Sequence, residues 1–189
     1  MKRKLLSVLF MGLLCCLVTS CSKDEEDETE INTYDLTKVY EINENHAQVG
    51  GIVYELTNDH FEVVTHDASI CIRYLDQPIC SEIKFKGKVY KVTTIRSNAF
   101  MGNYVTTLRV PEGISNINSS AFHWCLYLKD LYLPASTKAL NAYLINDCGQ
   151  LQTIHYAGTK TQWNKLPKAT NWKGSCKTNF KIVCKDGTI

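Results

Sequence analysis

Cysteine and histidine are the side chains here whose chemistry could matter, and their spacing decides which chemistry is open to them. The 189 residues include nine Cys and five His. A cysteine hydrolase needs a thiolate beside an imidazole base, and a zinc site needs Cys or His in short-spaced pairs. His123 and Cys125 come nearest to either pattern, and no Cys-x-x-Cys occurs. Cys125 also falls on a position of an internal repeat, which accounts for it without catalysis. No serine nucleophile elbow, phosphate-binding glycine loop or calcium loop is present. The densest cluster of acidic residues falls at 24–30 and not as separated pairs among apolar neighbours. The chain therefore reads as a non-enzyme without metal or cofactor, and a cysteine hydrolase is a remote third reading behind the two given below.

Three of the cysteines belong to the N-terminus. Met1-Lys2-Arg3-Lys4 is cationic, and an apolar run extends from Leu5 to Val18. A membrane span needs about 20 residues. This run is shorter and has the length of a signal h-region instead. It ends in Leu17-Val18-Thr19-Ser20-Cys21, which resembles the lipobox of bacterial lipoproteins. That resemblance implies diacylglycerol on the Cys21 thiol, removal of residues 1–20 with Cys15 and Cys16, and acylation of the new amine. A single acyl chain holds a protein only marginally, at about 0.8 kcal/mol per buried CH₂, whereas two or three make a lasting anchor. Ser22-Lys23-Asp24-Glu25-Glu26-Asp27-Glu28-Thr29-Glu30 follows. Like charges this dense repel one another and resist burial, so residues 21–33 are expected to form an extended, solvated tether. An acidic run just after the lipidated Cys also resembles the export signal that carries some Gram-negative lipoproteins to the outer face of the outer membrane. The expected location is the cell surface, with Cys21 holding the membrane.

Beyond the tether the composition suits a packed domain. Charged residues make up 21% and hydrophobic residues 44% of the chain, which excludes wholesale disorder. The net charge of +2 includes the leader cations Lys2, Arg3 and Lys4. The folded part is left mildly basic, far short of a nucleic-acid-binding excess.

The elements that would position these residues emerge from self-comparison. Thr107-Leu108-Arg109-Val110-Pro111, Asp130-Leu131-Tyr132-Leu133-Pro134 and Thr153-Ile154-His155-Tyr156-Ala157 recur at one constant interval. Upstream, Ile95-Arg96-Ser97-Asn98-Ala99-Phe100 returns as Ile117-Asn118-Ser119-Ser120-Ala121-Phe122 and, degenerately, as Leu140-Asn141-Ala142-Tyr143-Leu144-Ile145. Cys125 and Cys148 share a phase with Asn103 and are expected to be buried thiols. The Leu-x-Leu piece alternates as a half-buried strand does, and proline closes it because it cannot donate to a ladder. A unit this short cannot bury its own apolar face, so stacking creates the core. Phe100, Phe122, Leu108, Leu131, Val110 and Leu133 are the expected core.

These motifs resemble the BspA-like leucine-rich repeats of bacterial surface proteins. The resemblance implies a repeat solenoid, mainly β with short irregular or helical turns, in which residues 92–157 carry the repeats. A strand-rich N-terminal cap over 34–91 and a small C-terminal cap over 158–189 would close its ends. Among the six remaining cysteines many pairings are open. Cys71 with Cys80, around Pro78, and Cys176 with Cys184, across one turn, are the candidate disulfides in an exported chain. The middle residues of the strands, Arg109, Tyr132 and His155, should point away from the core and form the candidate ligand-contacting column. Two functions follow. One is a surface-displayed binding or adhesion module for a host or bacterial surface protein or glycan, the direction in which the family resemblance points. The other is a structural or accessory subunit of an envelope assembly. A polar, aromatic-studded sheet face would favour the first, and an exposed apolar patch the second.

Overall fold

The computed structural model describes residues 38–66, 76–176 and 179–189. The leader, Cys21, the acidic run and Cys71 lie outside these. Strands β1 (Val39–Glu41), β2 (His46–Val49), β3 (Ile52–Thr57) and β4 (His60–His66) form an antiparallel meander. Alternation drives it: Ala47, Val49, Ile52 and Tyr54 are buried, while Gln48 and Val53 between them are partly exposed. After β5 (Asp76–Pro78), β6 (Glu82–Phe85) and β7 (Lys88–Ile95) make a hairpin. Its two turn residues, Lys86 and Gly87, have φ of 48° and 80°, the doubly positive pair that a type I′ turn requires and glycine adopts freely.

From β4 onward the chain coils, and each coil adds a strand to one or both of two columns. The first column stacks β4, β7 and β9 (Asn116–Ile117) in parallel. It continues through Leu140, which donates its N–H to Pro167 O at 2.9 Å and accepts from Ala169 N at 2.9 Å. The second column is a sheet of β5, β8 (Thr107–Arg109), β10 (Asp130–Leu133), β11 (Thr153–Tyr156) and β12 (Lys181–Cys184), all parallel. Strand β13 (Gly187–Thr188) folds back antiparallel on β12. Turns join the columns and stack as well: Phe100 N donates to Ala121 O at 2.9 Å, and Phe122 N to Leu144 O at 3.0 Å.

Equivalent residues of successive coils fall into buried columns. Leu108, Leu131, Ile154 and Ile182 form one, and Val105, Leu128 and Leu151 another. All six residues expected in the core are there: Phe100, Phe122, Leu108, Leu131, Val110 and Leu133 are each at most 5% exposed. The parallel ladder also runs beyond residue 157, because β12 supplies a further rung after a longer interval than the earlier ones. The extra length falls where helix α1 (Lys160–Lys165) is inserted. A capping box starts this helix: Gln162 N donates to Thr159 Oγ1 and Thr159 N to Gln162 Oε1. Lys168 Nζ ends it by donating to the Trp163 and Leu166 carbonyls, the favourable place for a cation at a helix C-terminus. Tyr156, Trp163, Trp172 and Phe180 stack edge to face along this end of the core.

At the other end, Arg96 fastens the meander to the first coil. Its guanidinium bridges Glu55 and Glu62 and donates to Thr57 Oγ1. The buried Tyr54 hydroxyl accepts from Cys80 N at 3.0 Å, tying β3 to the segment after β5.

Candidate functional site

The parallel sheet has one face on the core and one open face. Leu108, Leu131 and Ile154 point inward, so pleating sends their neighbours outward. Register aligns Arg109, Tyr132, His155 and Val183 across four strands, with Thr107, Asp130, Thr153 and Lys181 preceding them on the same face. Rungs of a sheet are about 4.8 Å apart, close enough for flat side chains on adjacent rungs to stack. They do so here. The Arg109 guanidinium carbon lies 3.8 Å from the centroid of the Tyr132 ring. The Tyr132 and His155 rings are 4.1 Å apart and within 5° of parallel. His155 Nε2 donates to Asp130 Oδ1 at 3.0 Å, which fixes the imidazole.

This geometry decides what the column can do. Tyr132 has both ring faces covered, so it offers a ligand its edge and hydroxyl rather than a stacking platform. Guanidinium, phenol and imidazole present a row of polar edges that suits an extended ligand carrying hydrogen-bond acceptors. Because cation–π and ring contacts already order the three side chains, binding forgoes much of the usual entropy loss of about 0.5–1.5 kcal/mol per immobilised side chain. Beside the column, an open groove of about 350 Å³ is lined by Tyr132, His155, Tyr156, Val183 and Lys185, with Glu112 at its edge.

The cysteines occupy another part of each coil. Asn103, Cys125, Cys148 and Cys176 form a buried column beneath the turns. Asn103 Oδ1 accepts from Val105 N at 2.8 Å. The Cys125, Cys148 and Cys176 thiols donate to the Phe100, Phe122 and Cys148 carbonyls respectively. His123 turns elsewhere, reaching the Asn146 side chain at 3.1 Å and the Asp147 carboxylate at 3.5 Å. The expected Cys176–Cys184 bridge is not formed. The two thiols stand in different columns: Cys176 lies in the turn column on the Cys148 carbonyl, while Cys184 ends β12 in the parallel sheet. Cys80 is a free thiol, and its candidate partner Cys71 is outside the described residues. Cys176 is legible as a column member, because Trp172-x-x-x-Cys176 repeats the spacing of Ala121 to Cys125 and Leu144 to Cys148.

Burial and stacking make the Cys148 and Cys176 thiols reluctant acids. Contact with the Cys125 thiol, then burial, holds Cys148 far above the usual thiol range. Cys176 is pushed up to about 12, by burial first and then by Cys148. An unfolded thiol titrates at about 8.5, so the folded state keeps its proton longer. The resulting stability is fully present below about pH 8.5 and is lost as the pH rises toward about 12. Urea midpoints measured at about pH 8, 9 and 10 should fall more steeply for the wild type than for Cys176→Ala. Parallel slopes would remove Cys176 from this linkage.

The stacked coils, parallel sheet and Asn/Cys column define the class: a leucine-rich repeat solenoid. Residues 79–166 match the BspA type leucine rich repeat region in six copies. The match is wider at both ends than residues 92–157. Among solved structures, a leucine-rich repeat protein from Bacteroides capillosus superposes with a TM-score of 0.56 at 19% identity, over 75% of this chain and 99% of that one. One from Bacteroides ovatus gives 0.54 at 20% identity, over 72% of this chain and 37% of that one. At such identities the likeness is one of fold. No curated protein matches the chain. Repeats of this family are typically surface or adhesion-type modules, and they are generally non-enzymatic.

Proposed function

We propose that this chain is a surface-displayed lipoprotein whose open sheet face binds a protein or glycan ligand without catalysis, and that lipid on Cys21 holds it to the outer membrane. The observation that carries the binding reading is the stacked Arg109–Tyr132–His155 column, ordered before any ligand arrives and bordered by the groove at Tyr156 and Val183. Tyrosine and arginine are also the residue types that dominate interface hot spots. A subunit role in an envelope assembly is the second reading. It would act through an apolar surface, and the exposed Trp124, Leu126 and Tyr127 away from the sheet are the observation in its favour.

The test begins with protease shaving of intact cells to establish exposure, followed by pull-down with the purified chain to supply a ligand. Tyr132→Ala is then expected to weaken binding by about 2 kcal/mol or more, because its loss also unstacks Arg109 and His155. Circular dichroism should show the fold intact. Unchanged affinity in the Arg109, Tyr132 and His155 triple alanine variant would move the binding site off this face.

A further inference from the structure

Away from the open sheet face, the turns of the second coil expose an apolar surface that the fold does not require. Trp124 is 55%, Leu126 51% and Tyr127 45% exposed, and Tyr104 of the preceding coil is 43% exposed. The next coil shows what the architecture demands at these positions. It folds with Asp147, Gly149 and Gln150 where the second coil has Trp124, Leu126 and Tyr127. Backbone conformation sharpens the contrast. Trp124 has φ of 59°, where the neighbouring coils place Gly102 at 73° and Asp147 at 58°. A bulky side chain is disfavoured in that left-handed region, so the tryptophan stands there against local preference. Together these side chains wall a groove of about 190 Å³, and the Tyr104 and Tyr127 rings stack across coils at 5.7 Å.

The lining chemistry selects the occupant. Gly102, Asn103, Tyr104, Trp124, Leu126 and Tyr127 line the groove, and none carries a charge. An ionic ligand would find no counter-charge among them. Three aromatic rings offer flat apolar contact, while their two phenol hydroxyls and indole N–H ask for hydrogen-bonding partners. A purely apolar partner would leave those polar groups unsatisfied on burial. A neutral sugar ring has an apolar C–H face for the aromatics and a rim of hydroxyls for the polar atoms. We infer that the groove between Tyr104, Trp124 and Tyr127 is a binding subsite for a neutral hexopyranose unit of an oligosaccharide, independent of the Arg109–Tyr132–His155 face.

Tryptophan fluorescence reads this directly, since Trp163 and Trp172 are buried and Trp124 is exposed. The purified chain is titrated with neutral hexaoses of glucose, mannose and galactose, with hexagalacturonate as the acidic control and octaproline as the peptide control. At least one neutral hexaose is expected to shift the emission and saturate. Trp124→Gly removes the reporter, so calorimetry follows the variants. Trp124→Gly and Tyr127→Gln, which install the residue types of the neighbouring coils, should each weaken binding by about tenfold or more with unchanged thermal melts. Loss of affinity in Arg109→Ala, with both groove variants binding normally, would place the sugar on the open sheet face and overturn the inference. The inference is overturned if none of the neutral hexaoses binds, if only octaproline or hexagalacturonate saturates, or if affinity survives both groove variants.

Discussion

Phe122→Ala is expected to destabilise the domain by about 3–5 kcal/mol, the usual consequence of emptying a buried phenylalanine site. The side chain is fully buried, its ring lies 6.0 Å from that of Phe100, and its backbone N–H bonds the next coil at Leu144. It thus sits where three coils meet. In a solenoid each coil is stabilised chiefly by its neighbours, so a cavity at a middle coil weakens two interfaces at once. Total stabilities of about 5–15 kcal/mol leave little reserve for such a loss. Urea denaturation gives the measurement, and a midpoint equal to that of wild type would show that this turn does not pack as described. The contrast with Trp124→Gly is informative. The two substitutions are close neighbours in the chain, yet one empties the core and the other removes an exposed ring.

Cys21→Ala is expected to abolish membrane association altogether. Each acyl methylene buried in a bilayer contributes about 0.8 kcal/mol, so two or three chains hold a protein far more firmly than any contact at its surface. Without the thiol there is no site for the diacylglycerol, and the tether's dense negative charge has no affinity for an anionic surface. Metabolic labelling with a fatty-acid analogue, followed by fractionation, should find the variant unlabelled and in the soluble fraction. A Cys21→Ala protein that is still labelled and still sediments with membranes would show that the anchor lies elsewhere. A folded but released protein separates attachment from folding.

The repeat is readable in the sequence because a solenoid writes its geometry into the chain at a fixed interval. Every coil must place an inward residue at the same step, and Leu108, Leu131 and Ile154 therefore recur in phase. The same phase lines up Arg109, Tyr132 and His155, since an alternating strand that buries one residue must expose the next. Periodicity fails once the interval changes. The rung at Ile182 escapes it because α1 stretches the last interval and Trp172 replaces the small or aliphatic turn residue. Cys176 and Cys184 resemble partners because they are close in sequence, but one belongs to the turn column and the other to the sheet.

Local and periodic properties thus come from the chain itself: the stacking unit, its core positions, the outward phase of three strand residues and the lipobox-like segment at Cys21. Which groups meet across coils is a matter of tertiary structure. Folding sets the Tyr132 ring between a guanidinium and an imidazole, so that this residue presents an edge rather than a face. It also draws Tyr104 and Tyr127 together beside an exposed Trp124, although a full repeat separates the two tyrosines in the chain. Pattern within one repeat says whether a side chain points in or out. Only the twist and spacing of neighbouring repeats say what stands beside it.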